Sequence, residues 1–170
     1  FWGFGHSAQQ LNLSAMIAIW YALAFLTTGA KPLNEKLSRF AFLLYILFIN
    51  LGSEHHLLTD PAIGQAHKII NTSYLMYLAV LGSFIHAFSI PAAIEVALRK
   101  KGFNKGLFGW LLNAPWKEPG FSSLIFSLFI FGFLGGPTGI ILGAGQLSLL
   151  AHNTWRITGH FHATVVGGTS

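Results

Sequence analysis

Two histidines separated by one residue, His160 and His162 in the run Thr154-Trp155-Arg156-Ile157-Thr158-Gly159-His160-Phe161-His162, are where this chain first offers chemistry. On a helix of 3.6 residues per turn their imidazoles leave the axis roughly 200° apart. One helix then presents a nitrogen ligand to each of two sites on opposite sides, with Phe161 between them. Two neighbouring haems, each taking one axial histidine from this helix, would use that geometry to pass electrons. The plain alternative is a pair of polar residues at a helix face.

The chain has eight histidines and no cysteine, so thiolate metal sites, disulfides and iron–sulfur clusters are excluded and any metal must be held by imidazole. A neutral nitrogen donor also suits a low-dielectric setting where carboxylates are costly, and imidazole is a common ligand of copper and iron. His6, His55 and His56 could make a three-nitrogen site with one open position, which suits copper that binds or activates a small gas. His160 could then supply the axial ligand of an iron porphyrin facing that copper, and His162 that of a second haem behind it.

The elements that must position these residues are membrane spans. The sequence has 170 residues, of which 53% are hydrophobic and only 9% charged, against roughly 25% charged in an ordinary soluble domain. Five apolar runs stand between breakers. The first reaches from Phe1 to about Thr28 and is stopped by Gly29-Ala30-Lys31-Pro32; the second covers about Leu37 to Ser53. The third begins near His67 and ends at Arg99-Lys100-Lys101-Gly102, with Pro91 implying a kink unless neighbours re-satisfy the freed carbonyl. The fourth covers about Phe121 to Ile141, and the fifth begins near Leu147. Each complete run is near the ~20 residues that cross a bilayer. The expected architecture is an all-α polytopic transmembrane bundle, a single membrane domain over 1–170. With no initiating Met, it reads as about five spans cut from a subunit of twelve or more.

The formal charge of +5 does not mark a nucleic-acid surface, because the basic residues lie between apolar runs rather than interleaved with polar sequence. Lys31, Lys36 and Arg39 flank the first connection, and Arg99, Lys100, Lys101, Lys105 and Lys117 occupy the third; only Lys68 and Arg156 fall on the other side. By the positive-inside rule the first and third connections are cytoplasmic. His6, His55, His56, His152, His160 and His162 then gather in the outer part of one bundle, which scattered core histidines have no reason to do.

In order along the chain, Gly5-His6, the run Glu54-His55-His56-Leu57-Leu58-Thr59-Asp60-Pro61, and His152-Asn153-Thr154 leading into Gly159-His160-Phe161-His162 together resemble the catalytic subunit of the haem-copper oxidase superfamily. The stretch from Arg99 through Gly109-Trp110 to Pro115-Trp116 is most similar to its B-type branch. The resemblance implies copper on His6, His55 and His56, high-spin haem iron on His160 and low-spin haem iron on His162. It also implies a histidine beside the haem propionates at His152. The implied function is a respiratory terminal oxidase in a prokaryotic plasma membrane, reducing dioxygen to water with proton uptake. Its implied partners are a subunit II-like electron-entry subunit and an electron donor, either cytochrome c, a cupredoxin or a quinol.

One departure bears on the substrate. Oxygen reductases of this branch keep a tyrosine four residues after the first copper histidine, where it supplies an electron and a proton as the O–O bond breaks. Gln10 stands there, and glutamine can do neither. Nitric oxide reductases of the same superfamily lack that tyrosine, so reduction of nitric oxide to nitrous oxide is the alternative activity. Tyr21 falls where the branch keeps a tyrosine on its proton-uptake path, whereas Ile85-His86 replaces an expected threonine. His86 is either a satisfied core histidine or part of a proton route.

Three further readings rest on single features. Arg156 either neutralises a haem propionate or snorkels to the surface. Glu95 is solvated or paired with Arg99. The glycines from Gly132 to Gly145 let a helix kink and approach a porphyrin, or pack closely on another helix. The reading from another functional class is a transporter or structural membrane subunit whose histidines bind no metal.

Overall fold

The computed structural model describes residues 2–52 and 56–169, and every regular element among them is helical. The first helix, α1 (Trp2–Thr28), ends where Gly29 takes φ 76° and its N–H bonds Phe25 O at 2.7 Å. That left-handed cap needs a residue without a Cβ, and Ala30-Lys31-Pro32 carries the chain away from the helix axis. Asn34 starts α2 (Glu35–Leu44), its side-chain oxygen accepting the Leu37 N–H at 3.0 Å. A π-helical turn, Tyr45–Ile49, continues α2 toward the opposite end of the bundle.

After the outer connection, α3 (Gln65–Ile69), a π turn at Ile70–Leu75 and α4 (Met76–Lys100) form one 36-residue rod. The helical assignment is continuous through Pro91. At its inner end Arg99 pairs with Glu95 at 2.7 Å and donates to the Gly106 and Leu107 carbonyls at 3.1 and 2.9 Å. Of the two readings of Glu95, the ion pair is the one observed. The inner connection contains the short α5 (Gly109–Leu112). The return rod consists of α6 (Pro119–Ile130), a π turn at Phe131–Gly135 and α7 (Gly136–Gly143).

The fifth expected run needs correcting. Rather than one helix from Leu147, there are two: α8 (Gly145–Ala151), and α9 (Trp155–Phe161), which runs on through a π turn at His162–Val166 into α10 (Gly167–Thr169). Asn153 breaks the run by taking φ 57°, a left-handed conformation that asparagine tolerates better than most residues, and Thr154 follows with extended dihedrals. His152 therefore sits on an elbow instead of on the helix that carries His160.

Three rods among the described residues are long and apolar enough to cross a membrane: Ala8–Thr28, Gln65–Lys100 and Pro119–Gly143. The second and fifth expected spans are helical but shorter. In the packing, α2 and α4 lie together, and α1 contacts both α4 and α6. Gly82 sets the approach of α2 to α4, since a Cβ there would lie 2.9 Å from Ala41 O and 2.9 Å from the Tyr45 ring. Ile17, Ile90, Ile94, Phe121 and Leu124 close the inner core. Trp20 Nε1–H donates to Ser127 Oγ at 2.8 Å and the Ser127 hydroxyl donates to Gly168 O, tying α1, α6 and α10 together.

Candidate functional site

Toward the outer end the bundle opens into a chamber of about 390 Å³, within the size range of small-molecule sites. Gln9, Gln10 and Asn12 of α1 line one side, His56 lies beyond the end of α2, and His160 projects from α9. Phe48, Met76, Val80 and Phe131 make the wall largely apolar. Three π turns contribute to it, through Phe48, through Phe131 and Gly135, and through Thr164 and Val165. A π turn inserts one extra residue per turn and so re-aims side chains, a feature that recurs at functional sites.

The hydrogen bonds around His160 define its tautomer. The Thr138 hydroxyl donates to backbone carbonyls of the preceding turn, Gly135 O at 3.0 Å and Leu134 O. Its single proton being spent there, Thr138 Oγ1 faces His160 Nδ1 at 3.0 Å as an acceptor. Nδ1 thus carries the ring proton and Nε2 the lone pair. Gly139 makes this approach possible, because a Cβ there would stand 2.8 Å from His160 Cε1.

His162 reaches the same tautomer by a different partner, since its Nδ1 lies 2.8 Å from Thr158 O, which can only accept. Its side chain is exposed rather than in the chamber, as two helical positions of separation require. Phe161 lines the chamber and also lies against the His162 ring, with centroids 4.5 Å apart and planes tilted by 30°. Both histidines therefore make their hydrogen bond at Nδ1, the arrangement that is also common in metal-binding imidazoles.

A second cavity of about 360 Å³ lies at the outer surface between His56, His152, Asn153, Thr154 and Trp155. His152 Nε2 is 3.5 Å from Thr59 Oγ1. His56 lines both cavities, so the elbow carrying His152 adjoins the chamber. Arg156 is exposed and lines neither. His55 lies outside the described residues, as does the side chain of His6, and among those described no three histidine, aspartate or glutamate side chains converge on one point. Thr138 was not legible in the sequence as a partner of His160; the nearest signal was the glycine-rich stretch around it.

A hollow apolar chamber among membrane-spanning helices, with one imidazole on its wall and a second beside it, is the site this fold builds. The chain belongs to the family described as cytochrome c and quinol oxidase polypeptide I, whose model matches residues 1–170. It is 35% identical over 166 residues to cytochrome c oxidase subunit 1 of Thermus thermophilus, covering 97% of this chain and 29% of that protein. A probable quinol oxidase subunit 1 of Staphylococcus aureus is 28% identical over 177 residues, covering 99% of this chain and 22% of the relative. Among solved structures, the cryo-EM structure of a haem-copper terminal oxidase dimer superposes with a TM-score of 0.91 at 30% identity, over 99% of this chain and 30% of that one.

The chain thus spans less than a third of the length of these relatives, and its fold is part of a haem-copper oxidase helical bundle. These relatives are oxidases of cytochrome c and quinol, and the nitric oxide reductase reading suggested by Gln10 finds no support among them.

Proposed function

We propose that this chain carries the dioxygen-reducing centre of a respiratory terminal oxidase in a prokaryotic plasma membrane. In this reading His160 would hold a high-spin haem iron, His162 a low-spin haem iron, and His6, His55 and His56 a copper ion. The observation that carries it is the chamber itself, which His56, Gln10 and His160 reach from three separate elements.

When bound, the haems and copper supply the electron transfer and the dioxygen binding. The chain's own residues do the rest. Thr138 Oγ1 and Thr158 O hold the ring protons of His160 and His162 on Nδ1 and so keep each Nε2 free to ligate. Gly139 leaves space for the His160 ring, and Phe48, Met76 and Phe131 give the chamber an apolar wall. His152, on the elbow beside the outer cavity, is suited to a haem carboxylate at the surface, with Arg156 at the start of α9. Gln10 presents an amide whose buried oxygen has no hydrogen-bond partner among the described residues. An amide neither gives up an electron nor releases a proton here, so protons consumed in the chamber must arrive from another group.

Electrons enter through a subunit II-like partner from cytochrome c, a cupredoxin or a quinol; the names of the Thermus and Staphylococcus relatives support cytochrome c and quinol respectively. The test uses the native membrane complex, purified and reduced. Two distinct haem signatures in the visible spectrum and dioxygen uptake driven by reduced cytochrome c or quinol are expected. A colourless preparation without uptake would sink the proposal and favour a metal-free transporter or structural subunit.

A further inference from the structure

The connection from Lys100 to Glu118 joins two of the membrane-length rods, Gln65–Lys100 and Pro119–Gly143, so both of its ends are fixed at one membrane surface. Its course is set by Arg99, whose guanidinium bonds Glu95 at 2.7 Å and donates to the carbonyls of Asn104, Gly106 and Leu107 at 3.4, 3.1 and 2.9 Å. Gly102 at φ 98° and Gly106 at φ 66° make the reversals that let the chain curl around that side chain. The second half is tied as closely, with Asn113 Nδ2 donating to Gly109 O and Trp116 Nε1 to Leu111 O, each at 2.8 Å.

This ordered connection has two faces. Phe103, Trp110 and Ala114 pack on the core of the bundle. Leu107, Phe108 and Leu112 do not, and are 71%, 60% and 77% exposed. Around them Lys100, Lys101, Lys105 and Lys117 are exposed too, against a single carboxylate in the connection, Glu118. None of the four lysines forms an ion pair among the described residues, whereas the Arg99 charge is met by Glu95. Apolar side chains held open by a hydrogen-bonded frame and rimmed by charge mark a surface that something else covers.

Two features say what covers it. Both anchors of the connection are ends of membrane spans, which holds Leu107, Phe108 and Leu112 at the edge of the hydrocarbon, where lipid is always adjacent. The lysines then choose among lipids, because an anionic headgroup is attracted to them and a zwitterionic one has no net charge to offer. We propose that residues 100–118 form a binding site for an anionic phospholipid, with Leu107, Phe108 and Leu112 against its acyl chains and the four lysines around its phosphate. Because the connection is already ordered by its own hydrogen bonds, the lipid does not have to fold it on binding. The site shares no residue with the histidine chamber and does not depend on the oxidase reading.

The test places the native complex in phosphatidylcholine nanodiscs that contain photoactivatable phosphatidylglycerol or, in parallel, photoactivatable phosphatidylcholine with the same chains. Crosslinked peptides are mapped by mass spectrometry. Phosphatidylglycerol is expected to label residues 100–118 about tenfold or more above phosphatidylcholine, since each lysine near an anionic surface contributes about fivefold. Lys100→Gln, Lys101→Gln and Lys105→Gln together should abolish most of that preference and leave the haem spectrum unchanged. Leu107→Gln with Leu112→Gln should instead lower labelling by both lipids. Equal labelling by the two lipids in the wild type, or a preference that survives loss of the three lysines, would overturn the proposal. Crosslinks from this segment to another protein subunit in place of lipid would overturn it as well, by showing the face to be a protein interface. Should the lysine variant not assemble, the wild-type complex is compared at low and high salt, where the preference must fall as ionic strength rises; a salt-independent preference counts against the site.

Discussion

The inner and outer halves of this bundle are built from the same apolar helices and end up opposite in character. In the inner half Ile17, Ile90, Ile94, Phe121 and Leu124 are sealed against one another on regular α-helical turns. In the outer half the helices α2, α6 and α9 each pass into a π turn, and the space between them is a chamber rather than a core. Regular turns keep an apolar stripe on one face and so close it; the extra residue of a π turn shifts that stripe and leaves room. The inner half holds the rods at fixed spacing, and the outer half uses that spacing to aim histidines.

If that division is right, substitutions in the two halves should separate binding from stability. The largest effect is expected from His160→Ala, which should remove the high-spin haem and with it essentially all turnover while the low-spin haem remains; a pigment spectrum of the purified complex reads this directly. His162→Ala should do the converse, losing the low-spin haem and keeping copper, as metal analysis would show. Loss of copper with both haems retained would break the assignment.

Next, Ile94→Ala in the inner core should destabilise by about 2–5 kcal/mol, the range for emptying a well-packed site, and leave the haem spectrum unchanged. Thermal inactivation of the complex measures it, and a spectral change without a stability change would contradict the comparison. Thr138→Val should weaken haem retention or activity about tenfold by removing the acceptor on His160 Nδ1, with Thr138→Ser restoring it. The iron–histidine stretching frequency in the reduced complex should shift for Val and return for Ser, which a purely packing role for Thr138 would not produce. Smallest of all, Arg39→Gln should cost no more than about 0.5 kcal/mol, because its pair with Glu35 is solvent-exposed at both ends.

Much of the bundle was legible because membrane burial writes itself into sequence plainly. Gly29 with Pro32 marked the end of α1, and the apolar rods fell close to their expected limits. Where the reading slipped, the cause was a local conformation whose alternative is equally apolar. Asn153 turned the expected fifth helix into two because a single left-handed residue outweighed a continuous hydrophobic run. The two readings of His86 could not be separated in the sequence, since its hydrogen-bond partner Tyr21 comes from another helix far along the chain.

By itself, then, the sequence determined that this is an all-helical membrane protein, and the two-residue spacing of His160 and His162 already placed them on opposite faces. Those are properties of composition and helical period, which need no knowledge of neighbours. Only the tertiary structure decided where helices yield to π turns, that His56, Gln10 and His160 share one chamber, and which nitrogen of each histidine is left to ligate. Each of these depends on what an adjacent helix presents. In a low-dielectric interior a lone hydroxyl such as that of Thr138, or a missing Cβ such as that of Gly139, is enough to fix the answer.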